Sequence, residues 1–169
     1  MIKKILIVFL LAYIISGCGE GISPEAEIVQ TKTGFGGKIT FKGNWPPGIT
    51  RTHVVAFRKL IESAGDFNIL NLGFVSDSIP YNTKSINYSS LKEPFIEIGP
   101  GNYSYIVVAQ SKTPLISLER INWFVVGVYY AENDSVNPGK LVVKEDEFTD
   151  NINIICDFDN PPPQPPGGN

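Results

Sequence analysis

The feature that most constrains this fold is an apolar–polar alternation with a period of two, broken at short intervals by turn residues. Residues 38–42 (KITFK) alternate cleanly, and the Pro/Gly-rich stretch 43–48 then ends the pattern. Similar short segments recur as far as residue 158, whereas helical periodicity is scarce. Because successive side chains of a strand point to opposite faces, the sequence predicts an all-β sandwich of seven or so short strands.

The predicted strands differ in how strongly the pattern supports them. Residues 122–130 are apolar on both faces, which predicts a central strand covered on both sides. Residues 59–64 fit either the end of a strand or a short helical turn that stops at Gly65. Residues 76–91 are polar and unpatterned, and they predict an irregular excursion. The remaining predicted strands are residues 38–42, 53–59, 68–75, 95–98, 103–110, 141–143 and 151–158.

A hairpin is predicted in the second half of the chain. Residues 99–102 (GPGN) separate the strand candidates 95–98 and 103–110. Glycine allows a positive φ and proline fixes its own φ, so the segment favours a tight turn that pairs the two strands. Gly101 is the position at which we expect the positive φ.

The N-terminus indicates where the protein resides. A basic start (Lys3, Lys4) precedes the apolar residues 5–15, and small residues lead to Cys18. This order is typical of a secretory signal and is too short for a comfortable membrane span. Residues 15–18 (ISGC) resemble the bacterial lipobox, which implies diacylation of Cys18 and attachment to the cell-envelope membrane, facing the periplasm or the exterior. Several acyl chains on one cysteine give a stable anchor. An ordinary signal peptide or an uncleaved anchor helix is the alternative.

The sequence divides into four parts and carries a negative charge. We expect a lipoprotein signal peptide at 1–17, a flexible tether at 18–34, one β-sandwich domain at 35–159 and an exposed Pro/Gly-rich tail at 160–169. Without the two lysines of the signal, twelve of the fourteen basic residues remain against seventeen acidic ones, a net charge of −5. This balance argues against a nucleic-acid partner, since phosphate contacts need clustered Lys and Arg.

Three segments resemble a transthyretin-like (prealbumin-like) domain, a group that includes the carboxypeptidase regulatory-like modules. They are residues 37–43 with 54–57, residues 95–109 with their Pro-Gly-x-Tyr turn, and residues 151–158. The resemblance spans roughly residues 35–159. It implies a seven-stranded Greek-key β-sandwich with a structural, adhesive or accessory role in the bacterial envelope.

One branch of that group, the hydroxyisourate hydrolases, is enzymatic. Its members carry a Tyr-Arg-Gly-Ser ending together with histidines and an arginine in a dimer groove. This chain ends with residues 167–169 (GGN) and has His53 as its one histidine. The catalytic residues of that branch therefore do not carry over, and a fold-related hydrolase is the third and disfavoured interpretation.

The remaining candidates for chemistry are isolated. His53 has no recognisable nucleophile motif near it, and we expect a surface or strand-end residue. If Cys18 carries lipid, Cys156 has no disulfide partner, and its apolar surroundings predict a buried strand residue. Residues 145–147 with Asp150 form an acidic segment that fits either a charged turn or a calcium loop, although its spacing matches no EF-hand. One histidine and one free cysteine cannot make a zinc site, and we expect no cofactor.

Aromatic side chains are the one feature with binding potential. Trp45 follows Gly43-Asn44 and precedes two prolines, so we expect an exposed ring in an extended loop that binds a ligand. The competing interpretation is a ring that folds back and caps the core. We therefore expect a non-enzymatic, lipid-anchored interaction or accessory module with a protein or glycan partner. A carbohydrate-binding module that uses exposed aromatics is the alternative.

Overall fold

The computed structural model describes residues 32–132 and 134–168. The predicted signal peptide, Cys18 and most of the predicted tether lie outside these residues. All the strands below lie in one compact unit, Thr31–Asn169, which also contains both apolar clusters of the fold.

The described residues form strands and almost no helix, which confirms the all-β class. Two single 3-10 turns, Ala64–Asp66 and Arg120–Asn122, are the helical elements of the described chain. The strands are β1 (Gly34–Lys42), β2 (Arg51–Phe57), β3 (Leu72–Val75), β4 (Ser85–Ser89), β5 (Gly101–Tyr103), β6 (Tyr105–Ser111), β7 (Phe124–Tyr129), β8 (Leu141–Val143), β9 (Phe148–Thr149) and β10 (Ile154–Asp157).

The strands form one curled, mixed sheet and one small sheet. The large sheet has the order β3-β2-β6-β7-β10-β1-β4, and β9 pairs with the first residues of β1. Most neighbours are antiparallel, but β1 runs parallel to both β10 and β9. The small sheet pairs β5 with β8 and packs Tyr103, Leu141 and Val143 against the large sheet. This arrangement is consistent with a sandwich.

Both faces of the large sheet are buried at its centre. Along β2 and β6 the residues alternate between two apolar clusters, as the two-residue period requires. The main core lies on the face covered by the small sheet and includes Val54 and Ile106. The opposite face carries what we call the second cluster, which is covered by loops. Its buried members are Val55, Phe57, Ile61, Val75, Tyr105, Val107, Ala109, Trp123, Val125 and Val128.

The predicted hairpin is wrong, although the positive φ expected at Gly101 is confirmed. Gly101 has a φ of 148°, a conformation that favours glycine. However, β6 is paired on both edges, with β2 and β7, so no edge is free for residues 95–98. Ile96 instead forms a bridge to Val75 at the edge of the sheet. Gly101 is instead the first residue of β5, which pairs with β8 in the small sheet.

The structure also corrects the predictions for residues 76–91 and for residues 59–64. Residues 76–91 are not wholly irregular, because β4 pairs antiparallel with β1. An edge strand that buries little of its surface needs no apolar alternation, so the sequence gives no signal there. The possible helical turn at 59–64 is a 3-10 turn at Ala64–Asp66 instead. The central strand predicted at 122–130 is confirmed as β7, which lies between β6 and β10.

The prediction of an exposed C-terminal tail is wrong for its middle residues. The side-chain amide of Gln164 donates from Nε2 to the carbonyl of Val125 (2.7 Å) and accepts from its N–H (2.9 Å). Strand β10 pairs with β7 only as far as Gly127, so Val125 extends beyond that partner strand. Gln164 supplies both hydrogen bonds there, and the next residue, Pro165, is buried.

Candidate functional site

An apolar pocket of about 250 Å³ opens on the face of the large sheet that carries the second cluster. Val55 and Val107 contribute sheet residues to it, while Phe67, Ile96 and Trp123 contribute from the covering segments. Strands β2, β6 and β7 are apolar on both faces, and loops cover the second face where the small sheet covers the first. The pocket lies between this loop cover and the sheet.

Arg120 is the charged side chain in the pocket lining, and it is 6% exposed. Its guanidinium donates to the carbonyls of Trp123 and Pro165, the latter at 3.0 Å. Its Nε–H has no acceptor among the described residues. Within residues 32–132 and 134–168, no carboxylate lies within 4.0 Å of this guanidinium. Burial lowers the pKa of Arg120, because it disfavours the charged form.

His53 lies behind the pocket and is fully buried, so the expectation of a surface residue is wrong. It is the third residue of β2, and its ring meets Phe95 and Trp123 edge-on at centroid distances of 5.4 Å and 6.1 Å. Nδ1 lies 2.9 Å from the carbonyl of Ser76, so Nδ1 carries the proton. Nε2 has no described partner. Burial lowers the pKa of His53, because it disfavours the imidazolium.

Exposed apolar side chains surround the pocket. Phe95 is 53% exposed and Leu118 is 61% exposed, and both also line the pocket. Ile116 is likewise exposed and lines the pocket. Clusters of large exposed apolar residues are uncommon on a soluble surface and often mark a binding site. The pocket with its rim is therefore suited to hold an apolar group.

Trp45 lies against the main core and not at the pocket. Its ring packs on Phe41 and Phe158, with centroid distances of 4.7 Å and 5.3 Å. Its indole N–H donates to the carbonyl of Thr83 at 3.0 Å. This half-buried geometry is that of a ring capping the core, and the premise that no strand buries it is wrong. Tyr81, at 5.3 Å, is the exposed aromatic beside it. Ligand binding by Trp45 stays a prediction.

The other sequence candidates are placed apart from the pocket. Cys156 is fully buried in β10, as predicted, and burial raises the pKa of its thiol. In the acidic segment, Glu147 pairs with Lys144 at 3.0 Å. Among the described residues, no three His, Cys, Asp or Glu side chains come together as metal ligands.

Sequence reasoning missed both the pocket and Arg120. The signal that could have indicated them is the run of apolar residues within 115–124, which exceeds what one strand can bury. Arg120 lies inside that run. No pattern in the sequence shows that Pro165, forty-five residues later, completes its surroundings.

Comparisons of the chain with known protein families, with curated proteins and with solved structures give no match. In the part of the chain that the structure describes, no helix has the length and apolar character needed to span a membrane.

Proposed function

We propose that this protein is a non-enzymatic, lipid-anchored binding module of the bacterial cell envelope, and that the pocket over the second cluster is its binding site. The observation that carries the proposal is an apolar pocket of about 250 Å³ with an exposed apolar rim. The lipobox-like residues 15–18 support the anchor and the envelope location. An anchored domain with such a pocket can hold an apolar group close to the membrane surface.

The polar groups near the pocket support binding over catalysis. A general base needs a substrate or nucleophile within hydrogen-bond reach. The one described hydrogen bond of the His53 ring is to a backbone carbonyl, which orients the ring and activates no nucleophile. Cys156, a potential nucleophile, belongs to the main core, on the opposite face of the sheet.

We also propose that the fold is a Greek-key sandwich of transthyretin-like type. The hydroxyl of Tyr103, from the Pro-Gly-x-Tyr segment, donates to the carbonyl of Gly99 at 2.8 Å. A tyrosine that bonds to the backbone a few residues upstream is a recurring feature of Greek-key sandwiches. The packing of the small sheet on the large one supports the same architecture.

An uncharged fluorescent probe, aminoanthracene, tests the pocket on the compact unit Thr31–Asn169. Ala109 is buried and lines the pocket, so Ala109→Phe should fill it and abolish the fluorescence enhancement. Val142→Phe is the matched control, because Val142 is exposed on β8 and lies outside the pocket. Circular dichroism verifies that each variant is folded. A parent protein that takes up no probe, or a folded Ala109→Phe variant that takes up as much as the parent, would contradict the proposal.

A carbohydrate-binding module remains the alternative, and Tyr81 is the observation in its favour. Its exposed ring stands at the edge of Trp45 and could stack on a sugar face. A glycan array probed with the parent and with Tyr81→Ala tests this alternative. Binding that disappears in the variant would move the functional site from the pocket to this aromatic pair.

A further inference from the structure

We infer that the rim of the pocket, which consists of the exposed residues Phe95, Ile116 and Leu118, docks onto the bilayer that holds the lipid anchor. The inference rests on the proposed function, because the anchor at Cys18 brings the rim to the membrane. It adds an interaction surface and an orientation in which the pocket opens toward the acyl chains. Three properties lead to it: the outward and fixed position of the rim, the balanced charge beside it, and the length of chain between the anchor and the domain.

The rim places three large apolar side chains at one pocket. Phe95, Ile116 and Leu118 are 53%, 44% and 61% exposed, and each of them also lines the pocket. Their exposed parts therefore continue the apolar surface of the pocket outward. A continuous apolar patch of this kind marks a contact with a protein or with a membrane.

Hydrogen bonds hold the backbone of both rim segments. The N–H of Phe95 donates to the carbonyl of Val75 at the edge of the sheet, at 2.9 Å. The carbonyl of Ser117, next to Leu118, accepts from the indole N–H of Trp123 at 2.7 Å. Because these segments are fixed before a partner arrives, little conformational entropy is lost when the rim docks.

The charges beside the rim balance one another. Within three residues of Phe95, one lysine stands against two glutamates, and residues 112–119 contain one lysine and one glutamate. Arg51 adds a further cation, because its Nε–H donates to the carbonyl of Pro114 at 2.9 Å. Attraction to anionic lipids depends on clusters of Lys and Arg. We therefore expect the rim to dock by inserting apolar side chains into the interface, without help from lipid charge.

The chain before the domain favours a membrane over other apolar partners. Residues 19–31 separate Cys18 from the described residues, and thirteen extended residues span at most about 45 Å. A domain of this size has a radius of gyration of about 14 Å, so the rim can reach the bilayer. A link of this length gives an effective concentration on the order of millimolar at the membrane. For an anchored domain the bilayer is always present, so even a weak apolar contact with it is occupied.

Flotation with phosphatidylcholine vesicles tests the inference on the compact unit Thr31–Asn169, which lacks the anchor. We expect the unit to partition onto these vesicles, with no gain on vesicles that also contain phosphatidylglycerol. Leu118→Ser should lower the partition coefficient about fivefold, because it removes apolar surface from the interface. Ile116→Ser combined with Leu118→Ser should lower it about twentyfold for the same reason.

Val142→Ser is the matched control. Val142 is 53% exposed, and it lies on β8 between two residues that pack into the main core, so its side chain points away from that core. This variant should partition as the parent does. Leu118→Trp should instead increase the partition coefficient, since tryptophan favours the membrane interface. Circular dichroism verifies the fold of each variant, and a gain in Leu118→Trp cannot arise from a folding defect.

The outcomes separate this inference from the proposed function. A unit that takes up aminoanthracene but does not partition onto phosphatidylcholine vesicles would overturn the docking surface and leave the pocket. Partition that is unchanged in Leu118→Ser, or that requires phosphatidylglycerol, would also overturn it. Self-association of the parent that Leu118→Ser abolishes, without any vesicle binding, would assign the rim to a second copy and overturn the inference. Vesicle binding through the rim without uptake of aminoanthracene would overturn the pocket and leave the docking surface.

Discussion

Trp45→Ala should destabilise the domain, because this half-buried ring packs against the main core. Truncation of a fully buried Phe or Trp costs about 3–5 kcal/mol, and the hydrogen bond from the indole N–H to Thr83 adds about 1 kcal/mol. Trp45 is only half-buried, which reduces the packing part of the loss. We therefore expect a decrease of about 2–4 kcal/mol in the free energy of unfolding, or roughly 5–15 °C in Tm for a domain of this size.

Urea denaturation followed by circular dichroism measures this loss without using the removed fluorophore. Trp45→Phe keeps a ring against Phe41 and Phe158 but cannot donate to Thr83, so it should lose about 1 kcal/mol. Val142→Ala, at an exposed position of β8, is the surface control. A Trp45→Ala variant as stable as that control, within about 0.5 kcal/mol, would show that the ring is not packed and would restore it as an exposed ligand-binding residue.

Four shorter predictions test other parts of the molecule. Cys18→Ser should abolish incorporation of labelled palmitate, and a variant that still carries label would refute the lipobox interpretation. Gly101→Val should lower the free energy of unfolding by about 1–3 kcal/mol in urea titration, because its φ of 148° strains a branched residue; an unchanged midpoint would contradict this. Gln164→Leu should lose about 1–3 kcal/mol by the same assay, since it leaves the N–H and C=O of Val125 without partners, and an unchanged stability would mean that the tail contributes nothing. Burial holds the pKa of His53 below its usual 6.5, so the unfolded chain takes up the proton first as the pH falls. The free energy of unfolding should therefore decrease below about pH 6.5, and a free energy that does not change between pH 8 and pH 5 would contradict the buried placement.

The strands that the sequence predicted are those with at least one buried face. Strands β1, β6 and β8 lie within or over their predicted segments, since each alternates or is continuously apolar. Strand β4 was missed because an edge strand exposes most of its side chains. The pairing of residues 95–98 was wrong for a different reason. Alternation reports which face of a strand is buried, but not which strand lies beside it.

The site was less predictable than the fold, because it depends on contacts between distant segments. The sequence correctly predicted that both faces of β7 are covered. It did not indicate which segments cover them. The cover consists of loops and of the C-terminal residues, so the pocket has no signature in any one segment. Trp45 was chosen from its own neighbours in sequence, and those do not show that Phe158 packs against it.

The proline-rich end of the chain is chemically suited to lie beside Arg120, because it offers hydrogen-bond acceptors. A proline has a carbonyl but no N–H, so a run of prolines offers acceptors and few donors. The carbonyl of Pro165 accepts a hydrogen bond from the Arg120 guanidinium. The side chain of Gln164, the one glutamine of the run, donates to the carbonyl of Val125. The acceptor that this segment gives to the buried cation, among the described residues, is a neutral carbonyl, which holds the guanidinium in place.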